Sequence, residues 1–200
     1  EMSASLVGSE MCIRDRYLTT ELIDMDYRMV IALNMFDELE QSGGKIDYKH
    51  LGNMIGVPIV PTVSRSGKGV NQLFDTIIEV YEGRDESVRH VHVGLGKVIE
   101  NSITPLKDLL KKDPTCNREF SPRYLAIKIL EGDTEVKRML EGSESYPELM
   151  NIRNAEVEKI ETTLNEDIES AIANEKYGFI SGALAETYRP GDKELSLIHI

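Results

Sequence analysis

The chain has 200 residues, of which 40% are hydrophobic and 29% are charged, enough for one ordinary domain or two small ones with a real core. A formal net charge of −12 and the absence of any Lys/Arg cluster argue against nucleic acid and against a polybasic membrane patch. Two cysteines, Cys12 and Cys116, are too few for a disulfide framework, and no run approaches the roughly 18 apolar residues that span a bilayer.

Both ends of the chain read differently from the rest. Residues 1–16, "EMSASLVGSEMCIRDR", and residues 194–200, which end in "LSLIHI", resemble translated sequencing-adaptor read-through. Neither end has a periodicity or a cap that joins it to its neighbour, so we expect both tails to be non-native. We therefore expect the chain to be a fragment of a longer protein.

Residues 17–83 alternate between helical and strand patterns, which predicts an α/β sheet with a right-handed crossover. In chain order the pattern first predicts a short helix in "YLTTELIDMD" and a strand buried on both faces in "RMVIALN". A helix from Ile46 to Gly56 is predicted next, in "KIDYKHLGNMIG". A strand in "VPIVPTVS" and an amphipathic helix in "GVNQLFDTIIEVYEG", ended by Gly83, follow. The prolines at 58 and 61 place the second strand at an edge or a strand start.

Residues 84–193 predict an all-helical domain. The charged stretch "RDESVRHVHV" is either a short strand or a connector. The helices that follow are predicted in "GKVIENSITPLKDLLKK", kinked at Pro105, in "SPRYLAIKILEG", begun by Ser121 and Pro122, in "DTEVKRMLEG", in "AEVEKIETTLNEDIESAIANEKY", the longest, and in "GFISGALAETY".

Polar residues follow the two predicted strands of the α/β part. Asn34 and Asp37 come directly after the first strand, and Ser64 opens a glycine-containing turn after the second. Ligands of open α/β sheets bind beyond the carboxyl ends of the strands. A carboxylate there accepts two parallel hydrogen bonds from the N1–H and amino group of guanine, whereas adenine presents a lone pair at N1 and is repelled. Asn34 can tie adjacent loops together, and backbone N–H groups of the turn can point at guanine O6.

An alternative interpretation stays open for this pattern. Asn34 and Asp37 could cap the following helix, and Ser64 to Gly69 could form an ordinary turn. The phosphate-binding pattern G-x-x-x-x-G-K-[ST] and the pattern D-x-x-G are both absent from the sequence. We therefore predict a base pocket without a phosphate cradle, which binds nucleotide weakly and does not hydrolyse it.

Residues 17–193 resemble the cytoplasmic N-terminal part of the ferrous iron transport protein B family, in the segments "YLTTELIDMD", "VIALNMFDELE", "GVPIVPTVSRSGKG", "SPRYLAIKILEGD" and "IANEKYGFISGALAETY". The resemblance implies the C-terminal part of a GTPase domain in 17–83 and a helical domain that influences GDP release in 84–193. It implies guanine recognition by Asn34 and Asp37, packing of Met35 beside the base, and a following loop of Ser64, Arg65 and Ser66.

The same resemblance implies a parent protein in which GTP or GDP, with magnesium, regulates Fe(II) passage through a membrane domain of the same chain. This fragment would be soluble, and the parent would lie on the cytoplasmic face of the inner membrane; assembly into a homo-oligomer stays open. Two alternatives remain: a non-catalytic α/β plus helical interaction module that binds a partner protein, and part of another soluble GTPase.

Three further features favour structural interpretations. His90 and His92 have no neighbouring ligand set, so we interpret them as solvated histidines. The acidic residues around the longest predicted helix are interpreted as its solvated face, namely Glu156, Glu158, Glu161, Glu166, Asp167 and Glu169. "KYGFISG" is interpreted as a glycine-broken helix in preference to a nucleotide-linked hinge.

Overall fold

The computed structural model describes residues 17–85, 87–89, 91–113 and 120–191. The two predicted non-native tails, His90 and both cysteines lie outside these residues. Residues 17–24 are helical and are called α1. The other elements, in chain order, are β1 (Ile31–Leu33), α2 (Phe36–Gln41), β2 (Lys45–Ile46), α3 (Tyr48–Ile55), β3 (Ile59–Pro61), α4 (Val70–Tyr81), α5 (Gly96–Lys112), α6 (Pro122–Glu131), α7 (Thr134–Leu140), α8 (Tyr146–Leu164), α9 (Ile168–Thr187) and β4 (Tyr188–Arg189).

The described residues cluster into two compact units. The sheet unit comprises those of Glu1–Thr19, Tyr27–Val91 and Ile180–Ile200, and the helical unit comprises those of Thr20–Asp26 and His92–Phe179. This division is not the contiguous one predicted from the sequence, because residues 20–26 cluster with the helices and the end of α9 clusters with the sheet.

The sheet unit contains the predicted α/β arrangement. β1 and β3 pair in parallel, with Ile31 opposite Ile59 and Leu33 opposite Pro61, and α2 and α3 lie between them in the chain. β2 pairs with β4 in an antiparallel ladder, Ile46 opposite Tyr188. The parallel pairing confirms the α/β fold class and brings the carboxyl ends of β1 and β3 to one edge.

Two predictions about burial in this unit are wrong. β1 is not buried on both faces, because Ala32 is exposed between the half-buried Ile31 and Leu33. α4 forms as predicted, but Phe74, Ile77 and Ile78 are exposed at 60%, 43% and 51%. The apolar stripe of α4 is therefore wider than the surface it packs against, and only Val80 within the helix is buried.

The start of α3 also differs from the prediction, whereas its end agrees with it. Ile46 belongs to β2 and not to the helix, because Asp47 intervenes as N-cap and accepts a hydrogen bond from the backbone N–H of His50 at 2.9 Å. Gly56 ends α3 in the left-handed conformation, φ 70°, as the glycine position indicated.

The helical unit is organised around α6. Seven of the ten residues of α6 are buried. The predicted start is confirmed, since the Ser121 side chain accepts a hydrogen bond from Tyr124 N at 3.1 Å with Pro122 in the first turn. Helices α5, α7 and α8 contact α6. The apolar residues of this unit that are at most 1% exposed are Val93, Leu95, Ile99, Ile103, Leu106, Leu110, Leu125, Ala126, Ile127, Ile129, Leu130, Leu149, Ile160 and Ile172.

The predicted longest helix is two helices. α8 ends at Leu164, and its C-cap Asn165 is left-handed, with φ 54° and ψ 40°. Asp167 then accepts a hydrogen bond from Ser170 N at 2.9 Å in the first turn of α9. The prediction that glycines break the helix at "KYGFISG" is also wrong, because α9 runs without interruption through Gly178 and Gly182.

A buried ion cluster joins α1, α6 and α9 within the helical unit. Lys176 is fully buried, its Nζ contacts the Glu21 carboxylate, and it lies 3.2 Å from Asp24 Oδ2. Lys128 Nζ lies 2.6 Å from Glu21 Oε2 and 2.8 Å from Glu131 Oε2. Burial by itself would raise the pKa of Glu21, but the Lys176 and Lys128 ammonium groups outweigh it and lower that pKa. For Asp24 burial dominates and raises the pKa.

Within the described ranges, no helix is both long enough and apolar enough to cross a membrane.

Candidate functional site

The candidate site begins where the ladder between β1 and β3 continues past both strands. Thr62 N donates to Leu33 O at 2.9 Å, and Phe36 N donates to Thr62 O at 3.2 Å. Because the strands are parallel, the chain after β1 and the chain after β3 leave the same edge of the sheet. The ladder therefore sets the Asn34 turn beside Thr62 and the residues that follow it.

The Asn34 side chain joins the two strand ends. Its Oδ1 accepts hydrogen bonds from Ser64 N at 3.0 Å, from Ser64 Oγ at 2.9 Å and from Thr62 Oγ1 at 3.4 Å. The Ser64 N–H is an obligatory donor, so the oxygen and not the nitrogen of the carboxamide must face it. Asn34 Nδ2 consequently lies on the side of the carboxamide that faces away from Ser64.

Met35 turns the chain between Asn34 and Asp37. Met35 is the N-cap residue of α2 and adopts a left-handed conformation, φ 57° and ψ 30°, which non-glycine residues rarely adopt. No side chain caps this helix. The alternative in which Asn34 and Asp37 serve as caps of α2 therefore does not describe this turn.

Asp37 lies in the first turn of α2 and is half-buried. Among the described residues, none donates a hydrogen bond to its carboxylate. Within the described part of the chain, its oxygens are therefore left to accept hydrogen bonds from a ligand or from water.

The loop after β3 is closed on itself. Val63 O accepts hydrogen bonds from Ser66 N at 3.1 Å and Gly67 N at 2.9 Å, and Val63 N donates to Lys68 O at 2.9 Å. Ser64, Arg65 and Ser66 are exposed at the tip of this loop. Asn34 binds only the first of these three residues directly.

Gly69 fixes the base of the same loop. Its φ is 81°, and a Cβ at this position would lie 2.2 Å from Pro61 O. A side chain is therefore excluded both by the backbone conformation and by the carbonyl of β3.

Thr62 is a residue of this edge that the sequence pattern did not single out. It is only 3% exposed although it is polar, and it contacts Leu33, Asn34 and Phe36. A signal was present, because a threonine directly after the strand residues Ile59–Pro61 has a hydroxyl that must find a partner.

The described residues contain no group of three or more His, Cys, Asp or Glu side chains that could hold a metal ion. His92 is exposed, and Glu156 of the acidic set accepts a hydrogen bond from buried Ser102 Oγ at 2.6 Å, so that side chain is not simply part of a solvated face.

A partial parallel α/β unit followed by a helical unit is the fold of a GTPase-type domain joined to a helical domain. Two family models match the chain: "Ferrous iron transport protein B" over residues 2–77 and "FeoB cytosolic helical domain" over residues 96–189. The chain belongs to the ferrous iron transport protein B family.

Individual relatives agree with this assignment. The chain is 39% identical over 187 residues to an Fe(2+) transport protein A/Fe(2+) transporter FeoB fusion protein of Porphyromonas gingivalis, covering 92% of this chain and 22% of the relative. It is 28% identical over 156 residues to an Fe(2+) transporter FeoB of Staphylococcus aureus, and the match covers 78% of this chain and 23% of that relative. The chain thus spans less than a quarter of the length of these curated relatives.

Solved structures show the same fold. A mutant of S. thermophilus NFeoB bound to GDP aligns with a TM-score of 0.73 at 29% identity, covering 86% of this chain and 63% of that one. The cytosolic domain of the T. maritima FeoB iron transporter in a GDP form aligns with a TM-score of 0.66 at 23% identity, covering 87% and 62%, and this likeness concerns the fold alone.

Proposed function

We propose that the edge formed by Asn34, Asp37 and the Ser64–Ser66 loop binds the base of a guanine nucleotide. The Asp37 carboxylate accepts hydrogen bonds from N1–H and the 2-amino group, and Asn34 Nδ2 donates to an acceptor on the opposite edge of the purine. Met35 packs its thioether beside the ring. The observation that carries this proposal is the Asn34 carboxamide, which binds Ser64 through Oδ1 and thereby sets the Asp37 turn beside the serine loop.

Selectivity for guanine follows from the chemistry of the two purines. Both carry N7, so Asn34 contributes affinity for any purine. Only guanine presents two adjacent donors to a carboxylate, and adenine would set its N1 lone pair against Asp37. Asp37 is therefore the residue that discriminates between them.

In the full-length parent, this region regulates Fe(II) passage through a membrane domain of the same chain, by binding and hydrolysing GTP at the cytoplasmic face of the membrane. The named relatives are Fe(2+) transporters, and one of the similar structures is bound to GDP, which supports the proposal. Residues 17–191 supply base recognition and the helical companion. Hydrolysis and magnesium require the phosphate loop and D-x-x-G, which this sequence lacks.

The test is a titration of the 200-residue chain with GDP and with ADP at up to millimolar concentration, followed by two-dimensional NMR. We expect GDP to bind and ADP to bind much more weakly. Asp37→Asn replaces one acceptor oxygen by a donor, so we expect it to weaken GDP binding by about 10- to 100-fold, the range for a charge-assisted hydrogen bond.

The matched control is Asp75→Asn, which removes the same charge from the exposed face of α4 and should leave GDP binding unchanged. Equal response to GDP and ADP, or no response to either, would refute guanine recognition. That result would favour a non-catalytic interaction module, for which the exposed Phe74, Ile77 and Ile78 on α4 offer an apolar surface.

A further inference from the structure

Thr62 holds the Asn34 turn at three points. Its N–H donates to Leu33 O at 2.9 Å, its carbonyl accepts from Phe36 N at 3.2 Å, and its hydroxyl lies 3.4 Å from Asn34 Oδ1. The first two contacts bracket the turn from both ends, and the third reaches its central polar side chain. In the described part of the chain, no other residue contacts all three of these positions through hydrogen bonds.

The burial of Thr62 distinguishes its hydroxyl from that of Ser64. Ser64 is exposed, so water can replace its Oγ as a donor to Asn34. Thr62 is 3% exposed, and its hydroxyl has no such exchange with solvent. A buried hydroxyl keeps its protein partner, because leaving that group unsatisfied is costly. Thr62 is thus a buried donor that supplements the Ser64 N–H in holding Asn34 Oδ1 when water competes for the Ser64 hydroxyl.

We propose that Thr62 is a positioning residue for purine recognition, which acts through Asn34. It fixes Oδ1 toward β3 and so directs the Nδ2 protons to the N7 edge of the bound base. The inference rests on the proposed function, since it assigns the residue that orients one of the proposed contacts. Thr62 itself does not touch the ligand.

The test compares three nucleotides on the wild-type chain and on Thr62→Val, which removes the hydroxyl and keeps the branched shape. GDP against 7-deaza-GDP reports the Asn34 contact with N7, and GDP against inosine diphosphate, which lacks the 2-amino group, reports the Asp37 contact. In the wild-type chain we expect GDP to bind about 3- to 10-fold tighter than 7-deaza-GDP, the range for one neutral hydrogen bond. In Thr62→Val this ratio should fall measurably below the wild-type value without reaching one, because Ser64 still donates to Asn34, while the inosine ratio stays unchanged.

Two controls separate positioning from stability. Thr62→Ser keeps the hydroxyl and should restore the 7-deaza ratio. Thr187→Val removes another buried hydroxyl of the sheet unit, one that donates to Ala183 O at 2.7 Å, and should lower stability without changing either ratio.

If Thr62→Val weakens GDP and 7-deaza-GDP equally, or leaves both ratios at the wild-type values, Thr62 is only structural and the inference is wrong. A wild-type chain that prefers GDP over inosine diphosphate but not over 7-deaza-GDP would also overturn it. A wild-type chain that does not prefer GDP over ADP overturns the proposed function itself, which is a different result.

Discussion

Gly69 and Gly67 have nearly the same backbone conformation but different surroundings. Their φ angles are 81° and 75°, so an alanine at either position is forced into the left-handed region. A Cβ on Gly69 would meet Pro61 O at 2.2 Å, whereas a Cβ on Gly67 would have nothing within 4 Å. Alanine substitutions at Gly67 and Gly69 can therefore separate the free-energy cost of a left-handed backbone from the cost of a clash with Pro61 O.

Gly69→Ala should therefore destabilise the chain more than Gly67→Ala. We expect about 1 kcal/mol for Gly67→Ala from the left-handed backbone alone, and about 3 kcal/mol for Gly69→Ala because β3 or the loop must also shift. Urea unfolding of both variants measures the difference. Equal losses would show that the close approach to Pro61 does not constrain the loop.

The contact between Asn34 and Ser64 could be predicted from the sequence only in part. Their proximity is predictable, because a parallel sheet places consecutive strand ends at one edge. The left-handed Met35 is not predictable, since methionine has no preference for that conformation and the turn imposes it. The assignment of Ser64 N–H as a donor to Asn34, and not to a ligand, likewise depends on distances that no pattern contains.

At the scale of elements, the ion pair of Arg123 and Glu100 links α6 to α5 and to the segment that precedes α5. Arg123 Nη1 and Nη2 bind both oxygens of Glu100 at 2.6 and 2.7 Å, and Nη2 also donates to Val93 O at 2.8 Å. Glu100 Oε1 in turn accepts from Leu95 N at 3.0 Å. Burial opposes the charge on Glu100, but the Arg123 hydrogen bonds and the Leu95 N–H outweigh it and lower the pKa of that carboxyl.

Arg123→Met should destabilise the helical unit by about 2 kcal/mol, less than a fully buried pair would lose because Glu100 is partly exposed. A carboxyl with a lowered pKa stabilises the fold above its ordinary pKa, and this contribution is lost as pH falls through the lowered pKa. The difference between wild type and variant should therefore shrink on acidification below the ordinary glutamate pKa. Chemical unfolding at several pH values measures it.

The exposed pair of Arg138 and Glu135 supplies the control for this prediction. Its side chains are 71% and 75% exposed, so Arg138→Met should cost no more than about 0.5 kcal/mol at any pH. Similar losses in the two variants would mean that the Arg123 contacts do not stabilise the packing of α5 and α6.

Helices were easier to predict than the points where they end. Ser121 with Pro122 marks the start of α6 because both residues satisfy the first turn locally. The division between α8 and α9 was missed because Ile160, Leu164, Ile168 and Ile172 keep a helical spacing across it. Asn165 ends α8, because its left-handed backbone cannot continue the helix even though the apolar spacing runs on without a break.

The ion cluster of α1, α6 and α9 could not be read from the sequence either. Lysine is usually solvated, yet Lys176 is fully buried against Glu21 and Asp24. Such a cluster depends on residues 155 positions apart meeting in the folded chain, and no local pattern encodes that encounter.

At the scale of the whole molecule, the net charge of −12 disfavours nucleic acid and other polyanions as partners. The guanine nucleotide that we propose as the ligand would therefore have to be held by specific contacts with its base and not by the net charge of the protein. The sheet unit contains the residues proposed for that recognition, and the helical unit carries its own core and its own ion pairs. The α/β and helical fold classes followed from periodicity, whereas the family followed from several sequence segments in order.

Guanine binding at the carboxyl edge of β1 and β3 is tested most directly by an NMR titration of the ¹⁵N-labelled chain with GDP. We expect the Asn34 side-chain amide and the backbone amides of Asp37, Arg65 and Ser66 to shift together with one dissociation constant, while ADP leaves them in place. Shifts confined to other residues, or the same shifts with ADP, would contradict it.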